Sequence, residues 1–139
     1  MNTFLHLKII TPRKVVIDEK INSVSIPSSE GEITILPRHE NLFVLLIEGI
    51  IKIKKGDDEN YLSIGGGYAE TDGESVTILV SKAYGQDEID KNLTEKALEQ
   101  AKKILSESKD EKQRSEALSM MRRAIVDSKL LKKRRKTTL

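Results

Sequence analysis

VSIPSSEGEITILPRHENLFVLL, residues 24–46, decides the reading of this chain. Two apolar runs flank Ser28-Ser29-Glu30-Gly31-Glu32, and a second break follows at Pro37-Arg38-His39-Glu40-Asn41. Side chains alternate faces along a strand, so Val24 and Ile26 share one face, as do Ile33 and Ile35. The turns hold charge, glycine and proline rather than catalytic pairs. The segment reads as a rigid sheet edge that presents polar turns to a partner.

The same texture extends outward through residues 3–83. Short runs rich in Ile, Val and Leu are separated by turn residues at intervals of about ten, the pattern of an all-β sandwich or barrel. Thr11-Pro12-Arg13 ends the first run, and Gly56-Asp57-Asp58-Glu59-Asn60 separates 50–54 from 61–64. Asp72-Gly73 predicts a two-residue hairpin turn, because both residues tolerate positive φ. It joins 67–70 to 75–80, where Val76, Ile78 and Val80 form one face. Gly65-Gly66-Gly67 lacks the Gly-Lys-Ser/Thr and the helix that a phosphate loop requires. Between two strands, those glycines predict a bulge or close sheet packing.

The period changes after Gly85. Leu93, Ala97, Ala101, Ile104 and Leu105 recur at helical spacing, with Asp87 or Asp90 as the cap. Ser106-Glu107-Ser108-Lys109-Asp110 interrupts, and a second stripe follows at Ala117, Leu118, Met121, Ala124 and Ile125. Arg114, Glu116, Arg122 and Asp127 fall on its outward side. Two amphipathic helices with a short link predict an antiparallel hairpin. Alanines on both stripes let the axes approach but bury little area per turn, so the hairpin is expected to be marginally stable. The expected fold is α+β: an N-terminal antiparallel β-sandwich in residues 1–86, then a C-terminal antiparallel two-helix hairpin with a basic tail in 87–139.

Composition narrows the chemistry. Among 139 residues there is no cysteine, which removes disulfides and thiolate metal sites. The two histidines, His6 and His39, stand far apart in sequence, so a histidine-paired zinc site is not expected, and no metal is assigned. No apolar stretch approaches 18 residues, the length of a membrane-spanning helix. MNTFLHLKII carries neither a basic leader nor a small-residue cleavage site and reads as a first strand; a nuclear-encoded organellar form would need such a leader, so a bacterial source is expected, with a plastid-encoded one as the alternative. Net charge is +2 but uneven: residues 1–86 hold nine basic against twelve acidic residues, a net of −3, and residues 87–139 hold fifteen against ten, a net of +5. The excess sits at Lys129, Lys132, Lys133, Arg134, Arg135 and Lys136, and points to an acidic partner.

The quoted segment resembles the epsilon subunit of F-type rotary ATP synthases, bacterial type. The family pattern runs roughly Ile-x-Gly-x-Glu-Gly-Glu-x-Gly-Ile-x-Pro-x-His, and this chain reads Ile26-Pro27-Ser28-Ser29-Glu30-Gly31-Glu32-Ile33-Thr34-Ile35-Leu36-Pro37-Arg38-His39. The likeness continues through Gly49-Ile50-Ile51-Lys52-Ile53, through Ser63-Ile64-Gly65-Gly66-Gly67-Tyr68-Ala69-Glu70, through Val76-Thr77-Ile78-Leu79-Val80 and into the helical tail. Thr34 and Arg38 depart from it, standing where the family often has glycine.

The resemblance implies a non-catalytic rotor subunit of the central stalk of a proton-translocating ATP synthase. Its β domain would bind the gamma subunit and sit on the c-ring, with Glu30, Gly31, Glu32, Pro37 and His39 at that interface. Its helical tail would switch between a compact hairpin and an extended form that inhibits ATP hydrolysis. In that form Arg122, Arg123, Lys129, Lys132 and Lys133 would approach an acidic loop of the catalytic beta and alpha subunits. The implied location is the cytoplasmic face of the bacterial inner membrane, peripheral and held only through the complex.

Some bacterial relatives bind ATP on the hairpin through Ile/Leu-Asp-x-x-Arg-Ala. The matching stretch here is Ile89-Asp90-Lys91-Asn92-Leu93-Thr94. Asp90 remains, but Leu93 replaces the arginine and Thr94 the alanine. Leucine cannot donate to phosphate, and Ile89 and Leu93 are expected to be hairpin core. Arg122 or Arg123 on the second helix, or Lys91, which lacks the planar fork of arginine, is the substitute source of charge, and ATP binding is expected to be weak or absent. No cofactor is assigned.

Two other classes compete. Glu30 and Glu32 would point the same way on a strand, like an acid/base pair. Glycosidase carboxylates, however, flank an aromatic-walled cleft, and this chain has two Phe, three Tyr and no Trp to build one. The alternative binding role is a basic-tailed nucleic-acid or protein-interaction module. Basic runs bind phosphate through counterion release. No aromatic interleaves with residues 132–136, and the β half is net acidic, so no nucleic acid is expected as partner.

Overall fold

Alternating branched aliphatic and polar residues build ten strands in the computed structural model, which describes residues 3–133. They are β1 (Leu5–Ile10), β2 (Val15–Ile21), β3 (Ser23–Ser28), β4 (Gly31–Ile35), β5 (Leu42–Leu46), β6 (Gly49–Lys55), β7 (Asp58–Ile64), β8 (Gly67–Thr71), β9 (Ser75–Val80) and β10 (Ala83–Tyr84). Their order in the sheet is β10-β7-β6-β3-β5-β8-β9-β1-β2, and β4 pairs with β3 off that path. The sheet folds over on itself. Asn22 N donates to Lys54 O at 2.8 Å, and Lys55 Nζ lies 3.5 Å from Glu19, so the end of β2 reaches β6.

Pairing is antiparallel throughout this unit except between β1 and β9, which run parallel with Leu7 opposite Val76 and Ile9 opposite Ile78. Local patterning cannot reveal such a pair, because its strands lie at the two ends of the unit. Between the folded faces Leu5, Leu7, Ile9, Ile21, Val24, Ile26, Ile51, Ile53, Ile64 and Ile78 are almost wholly excluded from water. Each such side chain contributes roughly 1.5–3 kcal/mol by burial.

Three turns refine the expectations. The β6–β7 register continues to Lys55 opposite Asp58, so the tight turn is Gly56-Asp57, with Gly56 at φ +62°, and residues 58–60 are strand. The β8–β9 link has three residues rather than two, because Thr71 opposes Val76 and β9 starts at Ser75. There the Asp72 carboxylate accepts from Glu74 N at 2.9 Å and from Ser75 N at 2.8 Å. The glycine run is a close approach, as expected: a Cβ on Gly67 would stand 1.9 Å from Leu79 O, and one on Gly65 would stand 2.1 Å from Ser81 Oγ.

A second compact unit, Gly85–Lys133, begins two residues before the expected boundary. A single 3-10 turn (Gln86–Glu88) leads into α1 (Lys91–Glu107), and Ser108-Lys109-Asp110 link it to α2 (Glu111–Lys132). Asp90 caps α1 by accepting from Leu93 N at 3.0 Å, and Asp110 caps α2 by accepting from Lys112 N at 2.9 Å. The helices meet along Thr94, Ala101, Ala117 and Ala124, all buried. Three expected stripe members are not on this seam. Leu93, Leu118 and Ile125 are exposed, each one residue, or about 100° of helix, from the buried Thr94, Ala117 and Ala124. Arg114 is not outward either: its Nη1 donates to Leu105 O at 2.5 Å and to Ser108 O at 3.2 Å, capping the end of α1.

Candidate docking surfaces

The turn between β3 and β4 is built by one buried serine. Ser28 Oγ donates to Gly31 O at 2.5 Å and accepts from Glu30 N at 3.2 Å. Gly31 takes φ +117°, a conformation strained for any L side chain. Glu30 therefore lies in the turn and Glu32 in β4, both exposed. Gly31 between them breaks the strand alternation, so the two carboxylates do not form the same-face pair of an extended strand.

The loop after β4 is tied to the turn between β8 and β9. Arg38 N donates to Gly73 O at 2.8 Å, and His39 N to Leu36 O at 3.1 Å. His39 Nδ1 donates to Glu40 O at 2.8 Å. A Cβ on Gly73 would lie 2.8 Å from His39 O, so glycine is needed where the turns touch. Arg38 has φ +67°, the left-handed conformation that glycine adopts freely. The departure from the family pattern is thus a change of residue on a backbone that keeps a glycine-like shape. Thr34, the other departure, is exposed and bonds Ser25 Oγ at 2.8 Å.

These turns are two patches, not one. Glu30 precedes β4 and Gly31 opens it, while Pro37 and His39 follow it, and a five-residue strand separates its ends by about 13 Å. A third surface went unread in the sequence. On β5 Leu42, Val44 and Leu46 turn inward, while Phe43 is 60% exposed, Leu45 61% and Ile47, just beyond the strand, 49%. Tyr68 extends this ridge, its ring centroid 5.1 Å from that of Phe43. The signal was a strand apolar on both faces, one for the core and one for something else.

On the hairpin, Arg122, Arg123, Lys129, Lys132 and Lys133 are all exposed. Arg122 and Lys129 are seven residues apart, nearly two full turns, and so share a face; Arg123 is offset by about 100°. Lys129 and Lys132 lie in the last turn of α2, where the helix dipole favours cations. Arg134, Arg135 and Lys136 lie outside the described residues. At the degraded nucleotide motif, Asp90 is engaged as the α1 cap and Ile89 is half-buried. Leu93 is 62% exposed, which corrects its expected place in the hairpin core. Thr94 turns inward instead, its Oγ1 donating to Asp90 O at 2.9 Å. Among the described residues no cluster of His, Asp or Glu could hold a metal ion.

Comparison with known proteins agrees with this architecture. Residues 4–86 match the family described as ATP synthase, Delta/Epsilon chain, beta-sandwich domain. The ATP synthase epsilon chain of Herpetosiphon aurantiacus is 36% identical over 131 residues, covering 94% of this chain and 96% of its own. That of a Sulfurovum species is 38% identical over 105 residues, covering 75% and 81%. Among solved structures, a chain from the cryo-EM structure of Euglena gracilis mitochondrial ATP synthase, OSCP/F1/c-ring in rotational state 1, superposes with a TM-score of 0.72. It covers 94% of this chain and 79% of its own at 24% identity, a likeness of fold. The class is therefore that of subunits of rotary, F-type ATP synthases. Within it, the chain belongs to the epsilon chain family.

Proposed function

We propose that this subunit is a non-catalytic part of the central stalk, a rotor element that couples c-ring rotation to the catalytic head and restrains ATP hydrolysis. The exposed ridge of Phe43, Leu45 and Ile47 carries this reading. An apolar face on a rigid sheet is a surface made to be covered, and the gamma subunit is its occupant. The polar turns with Glu30, Glu32 and His39 meet the c-ring loops, where carboxylates accept charge-assisted bonds. The 13 Å between them spreads torque over two footholds. Association with the cytoplasmic face of the bacterial membrane is peripheral and runs through these partners; among the described residues no helix is long and apolar enough to cross a membrane. Leu93 offers no donor to a phosphate, so ATP has no part in this reading.

The full-length Phe43→Ser, Leu45→Ser variant is expected to keep its circular dichroism and to lose gamma at least tenfold in a pull-down. Retained affinity would overturn the ridge as the gamma surface. For the hairpin, exposed Arg122 and Lys129 act on an acidic partner, each pair contributing about 0.2–1 kcal/mol. Arg122→Ala with Lys129→Ala is expected to relieve inhibition of hydrolysis several-fold at low salt. The difference from wild type should shrink as salt rises.

A further inference from the structure

The open end of the hairpin carries a bond that its closed end does not need. A helix leaves its last carbonyls without intrahelical donors. At the end of α2, Gln86 Nε2 donates to Lys133 O and to Leu130 O, both at 2.5 Å, and Leu130 O also accepts from Lys133 N at 3.1 Å. One side-chain amide has two N–H groups, so one residue serves two carbonyls. Gln86 is held in position by the 3-10 turn, where Glu88 N donates to Gly85 O and Ile89 N to Gln86 O, each at 3.1 Å. The donor therefore stands before α1 begins, 44 and 47 residues from its acceptors. At the other end the Arg114 cap joins residues only six and nine apart, beside the link about which the helices would swing. Opening moves that cap least and the Gln86 contacts most.

We propose that Gln86 is the latch of the hairpin, a C-cap supplied from outside α2 that holds the helix down and must break before it can extend. This rests on the reading of the hairpin as a two-state brake. The Ala-lined seam makes the latch matter: where packing is thin, two hydrogen bonds are a sizeable share of what keeps α2 in place.

Gln86→Glu is the decisive variant. It preserves shape but turns two donors into a carboxylate facing carbonyl oxygens at the negative end of a helix. In the free full-length subunit, amide hydrogen exchange in α2 is expected to accelerate about tenfold or more, while exchange in the β domain stays at the wild-type rate. Gln86→Lys, which restores donors and suits the helix end, is expected to exchange like wild type. Wild-type exchange in the Glu variant, or equal acceleration in the Glu and Lys variants, would overturn the latch. In the assembled synthase the Glu variant should inhibit hydrolysis more strongly. If α2 opens in the free subunit and hydrolysis does not change, the latch stands and the brake is what fails.

Discussion

The β domain buries many large branched side chains, and the hairpin buries mostly methyl groups. Around Ile9, Ile51 and Ile78 the sheet closes over a core in which most members have no exposed surface. In the hairpin the buried apolar residues are Ala101, Ala117 and Ala124, with Leu130 near the end of α2 the one large side chain among them. Burial stabilises in proportion to apolar area, about 0.8 kcal/mol per methylene, so the two units differ several-fold in what holds them. The difference teaches that one chain carries both a platform that keeps its shape and an arm that can let go.

The contrast breaks most visibly in the core. Ile51→Ala is expected to cost about 2–5 kcal/mol, lowering the urea midpoint of the β domain and loosening every docking surface built on it. A loss under 1 kcal/mol would mean that the sheet is not the rigid partner. A smaller effect is expected at the helical seam. Ala101→Leu adds volume where the axes approach, at a cost of about 1–3 kcal/mol. It should accelerate hydrogen exchange in both helices and leave the β-domain midpoint unmoved; a shift in that midpoint would show that the units do not behave separately.

The smallest effect sits on a turn. Backbone N–H groups of Ser75 and Glu74 hold the Asp72 carboxyl below its ordinary value of 3.8. A depressed carboxyl stabilises the fold above the unfolded value, and that contribution disappears as pH falls through the folded one. Asp72→Asn should therefore be slightly less stable than wild type at neutral pH, and the two urea midpoints should converge in acid. A gap that persists in acid would assign the effect to shape rather than charge.

Much of this was legible in local sequence. Period-two patterning placed Val24, Ile26, Val76, Ile78 and Val80 in the core, and Asp90 was readable as a cap because capping depends on neighbouring residues alone. The turns at 28–32 and 37–41 announced themselves through Gly, Pro and charge. On the helical seam Ala101, Ala117 and Ala124 were placed correctly, but Leu93, Leu118 and Ile125 were added to it because they are more apolar than the Thr94, Ala117 and Ala124 beside them. Close helix packing selects small size over hydrophobicity, and composition ranks them the other way. Arg114 was assigned outward by charge, although its guanidinium caps carbonyls at the end of α1. The Phe43 and Leu45 ridge escaped because an apolar run shows that residues avoid water, not which partner covers them.

The parallel alignment of β1 with β9 sets a schedule for synthesis. Residues 5–10 leave the ribosome early, but one edge of their strand stays unpaired until residues 75–80 follow. Such distant pairing slows folding and lengthens the exposure of apolar strands. The first hairpin must wait with its edge open for nearly the whole length of the domain, and Lys8, Lys14 and Lys20 along it supply the charge that discourages another nascent chain from adding a strand there first.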